Sequence, residues 1–137
     1  MDAEATHAGG CACGAIRYRA SGLATNLCFC HCHSCRSASG APFVAWATFE
    51  PSHFELTRGR LAEYASSRPV IRGCCRRCGT TLSYRHRARP QEIDLTLASL
   101  DDPGALPPGC HIWVSEKLPW VELADGLPQH ARWRTGD

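Results

Sequence analysis

Cysteine is the residue that most constrains this chain, because it accounts for ten of the 137 residues. Cys110 stands alone, and the other thiols are clustered as Cys11 and Cys13, as Cys28, Cys30, Cys32 and Cys35, and as Cys74, Cys75 and Cys78. Close neighbours on an extended strand cannot easily form disulfides with each other, but they can bind one metal ion together. The clustering therefore favours metal sites over a disulfide scaffold.

The N-terminal residues indicate the compartment. Residues 1–5 are acidic and have no apolar segment of the kind that a secretory signal requires, so we expect a cytoplasmic protein. In a reducing cytoplasm, dense cysteines more often hold metal than form disulfides. No stretch approaches the ~20 apolar residues of a membrane helix, so we expect no membrane-spanning segment and no membrane partner.

The spacing of apolar residues predicts a single, mostly β domain of short antiparallel strands over residues 1–137. Apolar residues recur at every second position around Ile16 and Tyr18 and again around Ile93 and Leu95, which is the period of a half-buried strand. We predict strands over residues 15–20, 24–30, 43–49, 53–56, 61–65, 69–74, 80–86, 92–98 and 111–115. Helical turns are expected near residues 34–39 and 119–123, and short tails over residues 1–8 and 126–137.

Cys75 and Cys78, followed by Gly79, have the form of a zinc knuckle. Two thiolates three residues apart can reach one ion when the chain turns between them, and glycine supplies the backbone freedom of that turn. Cys11 and Cys13 are a natural second half, because residues i and i+2 of a strand share a face with Cα atoms ~6.6 Å apart. Four thiolates would close the site and make it structural, although spacing alone leaves this pairing open.

Cys30, Cys32 and Cys35 form a second constellation. Cys30 and Cys32 share a strand face, and the next residues allow a turn that brings Cys35 to the same ion. Three protein ligands and one open position are the arrangement of a catalytic zinc. A closed site, with His31 or His33 as the fourth ligand, is the alternative.

Three thiols remain outside these sets. The Cα atom of Cys28 would lie ~13 Å from that of Cys32 on an extended chain, so we expect Cys28 to pack as a buried thiol. Cys74 must point away from its neighbour Cys75, which favours a core position. Cys110 could line the open metal site. We expect core positions for Trp46, Trp113 and Trp120.

The cysteine motifs, taken in order, are shared with a known family. They are Gly9-Gly10-Cys11-x-Cys13-Gly14, Cys30-His31-Cys32-x-x-Cys35-Arg36, Ser39-Gly40-Ala41-Pro42-Phe43 and Cys75-x-x-Cys78-Gly79-Thr80. Further matches include Asp94-x-Thr96, Ser99-Leu100-Asp101-Asp102-Pro103 and His111-Ile112-Trp113. Over about residues 8–120 the chain resembles the glutathione-dependent formaldehyde-activating enzyme family, also called the centromere protein V type domain. The resemblance implies a zinc-containing β-tent fold with two zinc ions per chain.

The resemblance also implies ligands and an activity. The structural zinc would be held by Cys11, Cys13, Cys75 and Cys78, and the catalytic zinc by Cys30, Cys32 and Cys35. The implied activity is that of a carbon–sulfur lyase that acts on thiol–aldehyde adducts such as S-hydroxymethyl glutathione. A zinc ion with three thiolates carries a net charge of −1, which suits a soft thiol substrate such as glutathione. Arg36 could bind a substrate carboxylate or oxyanion, with a backbone carbonyl as its alternative partner.

The arginine distribution supports a second interpretation, a zinc module without enzymatic activity. No acidic residue lies between Glu63 and Glu92, where the chain carries Arg68, Arg72, Arg76, Arg77, Arg85, Arg87 and Arg89. Such a surface could bind nucleic acid or a protein partner. The net charge of only +2 does not require nucleic-acid binding, and we do not expect it. An open second metal site would favour the enzyme, whereas a histidine ligand there would favour the module.

Overall fold

Ten short strands and one helix carry the fold of residues 5–134, the part of the chain that the computed structural model describes. The helix is α1 (His33–Ser39). The strands are β1 (Thr6–Gly10), β2 (Arg17–Ser21), β3 (Thr25–Cys30), β4 (Val44–Phe49), β5 (Phe54–Arg58), β6 (Ala62–Ser67), β7 (Val70–Cys74), β8 (Thr81–His86), β9 (Ile93–Thr96) and β10 (His111–Ile112). The mostly β class expected from the sequence is therefore confirmed.

The strands form two sheets. The smaller sheet has the order β1-β2-β5, and the larger has the order β10-β3-β4-β9-β8-β7-β6. Every pair is antiparallel, as the sequence predicted, except β10 with β3, which is parallel. β3 and β10 are far apart in the sequence, so no hairpin connects them and a parallel pairing is possible.

The two faces of the larger sheet carry different kinds of side chain. Ile93 and Leu95 of β9 join Tyr18 and Ala20 of β2 in one buried apolar cluster. Since side chains alternate along a strand, Asp94 projects from the opposite face, where it lines a cavity. One face therefore builds the core between the sheets, and the other is free to carry polar groups.

The expected N-terminal tail over residues 1–8 is wrong for residues 6–8, because they belong to β1 (Thr6–Gly10). Its residues pair with β2 in continuous register, from Thr6 opposite Ser21 to Gly10 opposite Arg17. Gly9 is required there, because a Cβ atom at this position would lie 2.5 Å from the Tyr18 ring. The glycine pair that marks the cysteine motif thus also lets β1 lie against β2.

The C-terminal tail is also corrected, because residues 128–132 bond to the main chain around β10. The backbone amide of His111 donates to the carbonyl of Pro128 at 2.9 Å, and the amide of His130 donates back to the carbonyl of His111 at 2.9 Å. The Trp133 ring packs edge-on against Trp113, with ring centroids 6.2 Å apart. Trp133 lines the cavity together with Trp113.

The segment after β10 differs from the sequence expectation as well. A 3-10 turn at Val114–Glu116 replaces the end of the predicted strand, and no helical turn forms over residues 119–123. Trp120 is 69% exposed, so its expected core position is wrong.

Candidate functional site

The structure brings the two distant cysteine pairs into one cluster. The Sγ atoms of Cys11, Cys13, Cys75 and Cys78 all lie within 4.8 Å of one another. The Cys11 and Cys13 sulfurs are 3.7 Å apart, and the Cys13 and Cys75 sulfurs are 3.9 Å apart. The loop between β1 and β2 supplies the first pair, and the turn between β7 and β8 supplies the second. The cluster therefore ties the smaller sheet to the larger one.

Hydrogen bonds around this cluster are directed at the sulfurs. The backbone amide of Ile16 donates to Cys11 Sγ at 3.2 Å, and the amide of Cys78 donates to Cys75 Sγ at 3.4 Å. Gly79 has a φ of 82°, the left-handed conformation expected for the knuckle. Amides that point at sulfur favour the thiolate, which is the form that binds metal.

Thr80 connects the two halves of the cluster. Its Oγ1 accepts a hydrogen bond from the amide of Ala12 at 3.0 Å and lies 3.2 Å from Cys78 Sγ. The hydroxyl is therefore free to donate to that sulfur, and this contact lowers the pKa of Cys78 to about 5. Thr80 is part of the motif quoted above, but its contact with the first cysteine pair could not be inferred from spacing.

Cys30, Cys32 and Cys35 form the second cluster, again with all sulfurs within 4.8 Å of one another. Cys30 ends β3, Cys32 is the N-cap of α1, and Cys35 lies in the first turn of the helix. The Cys35 amide donates to Cys32 Sγ at 3.3 Å, and the Cys35 and Cys30 sulfurs are 3.6 Å apart. The helical turn expected near residues 34–39 is thus confirmed as α1, whereas Cys32 lies beyond the end of the strand on which the sequence placed it beside Cys30.

Crowding shifts the proton affinities of these three thiols in opposite directions. Hydrogen bonds from Cys30 and Cys35 lower the pKa of Cys32, and the charge of Arg72 adds to this effect. The same contact with Cys32 raises the pKa of Cys30. Thiolates held close together in a buried site repel one another, and a bound cation would reduce this repulsion.

Both clusters fit a tetrahedral thiolate-bound ion. With metal–sulfur bonds of ~2.3 Å, a tetrahedron places its sulfurs about 3.8 Å apart. The sulfur separations of 3.6, 3.7 and 3.9 Å in the two clusters agree with this value. Both cysteine sets could therefore hold metal ions, and the thiolate donors suit zinc.

His31 and His33 both lie outside the second cluster, and in the described chain no fourth cysteine, histidine or carboxylate joins it. His31 is fully buried, with Nε2 2.9 Å from Nδ1 of His111. His111 Nε2 is in turn 2.7 Å from a carboxylate oxygen of Asp125. Burial lowers the pKa of His31 to about 4, so the ring is neutral, and it packs against Phe43 with ring centroids 5.0 Å apart. The sequence motif contained His111, but not its link to His31.

The second cluster opens onto a cavity of about 910 Å³. Its three cysteines lie on the cavity wall, and aromatic side chains from several elements complete the lining, among them Trp46, Tyr84, Trp113 and Trp133. The four-cysteine cluster does not line this cavity. Only the three-cysteine cluster is therefore placed to meet a ligand there.

A row of polar side chains crosses the floor of the cavity. Arg72 of β7 lies opposite Tyr84 of β8, which lies opposite Asp94 of β9, which lies opposite Thr48 of β4. All four line the cavity. Burial raises the pKa of Asp94 to about 6, and the Thr48 hydroxyl donates to its carboxylate at 2.6 Å. The row arises from strand register, so sequence spacing could not reveal it.

Arg36 has backbone partners in the structure. Its Nε donates to the carbonyl of His31 at 3.3 Å, and an Nη donates to the carbonyl of Glu116 at 3.3 Å. Arg36 does not line the cavity. These contacts correspond to the alternative partner considered from the sequence.

The three remaining thiols lie outside both clusters. Cys28 is 3% exposed, and burial raises its pKa to about 12. The Cys74 thiol donates to the carbonyl of Ala62 at 3.7 Å, and Cys110 is buried away from the cavity lining. All ten thiols are free of disulfides.

The arginine-rich segment does not form one open basic face. Arg85 pairs with Glu63 at 2.8 Å, Arg89 pairs with Glu92 at 3.2 Å, and Arg72 is buried. The acidic residues that flank the segment in sequence thus neutralise part of it in space. This arrangement weakens the interpretation of the chain as a nucleic-acid or protein-binding module. None of the helices in residues 5–134 has the length and apolar character needed to cross a membrane.

Known proteins resemble this chain in sequence and in fold. The family model described as glutathione-dependent formaldehyde-activating enzyme matches residues 6–116. An uncharacterized lyase of Schizosaccharomyces pombe is 38% identical over 79 residues, which span 57% of this chain and 56% of that protein. A crystal structure of a Rhodobacter sphaeroides protein shares the fold, with a TM-score of 0.57 and 24% identity over 90% of this chain and 98% of that one. The resemblance inferred from the cysteine motifs is therefore confirmed.

Proposed function

The chain belongs to the glutathione-dependent formaldehyde-activating enzyme family, and from this membership we propose that it is a zinc-dependent carbon–sulfur lyase. Its substrates would be adducts of a small thiol and an aldehyde, such as S-hydroxymethyl glutathione. We place it in the reducing cytoplasm, where its ten free thiols would persist. The observation that carries the proposal is the three-cysteine cluster on the wall of a large cavity, with no fourth donor from the described residues.

The two clusters would hold two zinc ions with different tasks. Cys11, Cys13, Cys75 and Cys78 would complete a four-ligand shell, which leaves no position for a substrate. Cys30, Cys32 and Cys35 would leave the fourth position open toward the cavity. A zinc ion in the second site supplies a place where a soft substrate thiol is held as its nucleophilic thiolate.

The reaction also requires a group that can accept one proton and donate it again. In adduct formation, the thiol gives up its proton, its sulfur bonds to the aldehyde carbon, the electron pair of the C=O bond moves to oxygen, and that oxygen gains one proton, so that no proton is consumed overall. Cleavage reverses each step. Asp94 is suited to this task, because it lines the cavity and a pKa of about 6 lets its carboxyl group both hold and release a proton near neutrality. The Thr48 hydroxyl fixes the orientation of the carboxylate.

The experiment compares Cys35→Ser with Cys110→Ala, a control thiol outside both clusters. Metal analysis should find two zinc ions in the wild type and in the control, and about one in Cys35→Ser. NMR exchange between free and glutathione-bound formaldehyde should be accelerated by the wild type and the control only. If Cys35→Ser accelerates the exchange as the wild type does, the three-cysteine site is not the catalyst.

A further inference from the structure

Arg72 is a buried cation whose partners within the structure are incomplete. Its side chain lies on β7, is 2% exposed, and lines the cavity beside the three-cysteine cluster. Nε donates to Ser66 Oγ at 3.1 Å, and the guanidinium lies 5.0 Å from the centre of the Tyr84 ring. Nη1 is buried and has no hydrogen-bond partner among the described residues.

This arrangement is costly unless something else meets the guanidinium. Arginine stays charged at every physiological pH, and a buried charge without a paired, hydrogen-bonded partner is strongly unfavourable. In residues 5–134 no carboxylate forms an ion pair with Arg72. The aromatic ring and the serine hydroxyl stabilise the side chain, but neither carries a negative charge.

The nearby thiolates do not complete the set of partners. The charge of Arg72 contributes to the lowered pKa of Cys32, so the two side chains interact electrostatically. No hydrogen bond joins the guanidinium to the sulfur of Cys32 or Cys35, and Nη1 remains without a partner. The free donor is thus left for a group that enters the cavity.

We propose that Arg72 binds a carboxylate of the thiol substrate and thereby selects anionic thiols. The inference rests on the proposed function, because it takes the ligand of the cavity to be the thiol. An aldehyde oxygen is a weaker match, since it is neutral in both the aldehyde and the adduct, whereas the guanidinium is permanently charged. The cavity of about 910 Å³ also exceeds what formaldehyde alone would occupy and leaves room for a peptide-sized thiol.

The test measures binding without chemistry. The ligands are S-methylglutathione, whose sulfur has no proton to lose, and its dimethyl ester, whose carboxylates are neutralised. Both are titrated into the zinc-loaded protein by calorimetry or by the fluorescence of the cavity tryptophans. The variants are Arg72→Met, Arg72→Lys, which keeps the charge and loses the planar fork, and Arg85→Met, an exposed arginine outside the cavity.

The wild type and Arg85→Met should bind the acid at least about tenfold more tightly than the ester, because ionic hydrogen bonds are the strong class. Arg72→Met should reduce this ratio of affinities to about one, because it weakens the binding of the acid but not of the ester. Arg72→Lys should give an intermediate ratio. Equal affinity of the wild type for the two ligands would overturn the proposal. The proposal would also be overturned if Arg72→Met weakened the binding of both ligands equally. Loss of zinc from Arg72→Met with an unchanged acid–ester affinity ratio would overturn it as well, because Arg72 would then act as a counter-charge for the thiolates.

These outcomes separate the inference from the proposed function. If the wild type distinguishes acid from ester through Arg72 but does not accelerate formaldehyde exchange, the carboxylate site stands and the lyase activity fails. If exchange is accelerated and Arg72→Met lowers kcat without changing the acid–ester ratio, the lyase activity stands and Arg72 acts on another group. Should Arg72→Met not fold, the ligand pair on the wild type and on Arg72→Lys decides the question.

Discussion

The two cysteine clusters should differ in how much of the fold depends on them, and Cys78→Ser compared with Cys35→Ser tests this. A metal ion between Cys13 and Cys75 joins residues 62 positions apart, whereas one between Cys30 and Cys35 joins residues five positions apart. A cross-link stabilises a fold by restricting the unfolded chain, and the restriction grows with the length of the closed loop.

The chain-entropy estimate assigns about 4 kcal/mol to the long loop and about 2 kcal/mol to the short one. With an unfolding entropy of roughly 2.1 cal/mol/K per residue, these values correspond to Tm losses of about 14 °C and about 7 °C for 137 residues. A metal ion bound by the four cysteines would also hold the smaller sheet to the larger, so its loss should destabilise the whole fold.

The assay is thermal unfolding of both variants, followed by metal analysis of the same samples. Cys74→Ser is the matched control, since this thiol is adjacent to Cys75 and lies outside both clusters. It should keep both ions and lose roughly 1 kcal/mol or less. A larger Tm loss in Cys35→Ser than in Cys78→Ser would refute the reasoning and reverse the structural and catalytic assignments.

Three further variants test single contacts. The pKa of Asp94 is raised from 3.8 to about 6 by burial, so the folded state keeps a proton that the unfolded chain has already lost, and stability falls as the pH rises through this window. Asp94→Asn should therefore gain stability over the wild type as the pH rises from ~4 to ~6, by roughly 2 kcal/mol, in paired thermal melts. A difference that stays constant with pH would contradict the shift. Arg36→Met removes two hydrogen bonds to backbone carbonyls, so it should lower the free energy of unfolding by roughly 1–3 kcal/mol and leave the KM for the thiol unchanged. A raised KM with an unchanged Tm would instead show that Arg36 contacts the substrate. Cys28→Ala should retain both ions and lose roughly 1 kcal/mol, and metal analysis showing one ion would place Cys28 in a metal shell.

The spacing of residues in the sequence was sufficient to predict those features whose geometry depends on only a few neighbouring residues. The i, i+2 spacing of Cys30 and Cys32 and the turn to Cys35 predicted one cluster, and the knuckle at Cys75 and Cys78 predicted half of the other. The pattern of short β-like runs separated by Gly, Pro and Ser predicted nine of the ten strands, and period-two alternation supported some of them, such as β2 and β9. It missed β1, whose alanine and glycine residues have no such alternation.

Tertiary structure decided every feature that joins distant residues. The pairing of Cys13 with Cys75, the contact of His31 with His111 and the row from Arg72 to Thr48 depend on strand order and register, which local pattern does not encode. The sequence by itself determined which side chains could bind metal and the β class, because ligand type and side-chain period are local properties. The fold alone decided that Arg72 is buried in the cavity with a free donor, because burial depends on all the strands that pack around it.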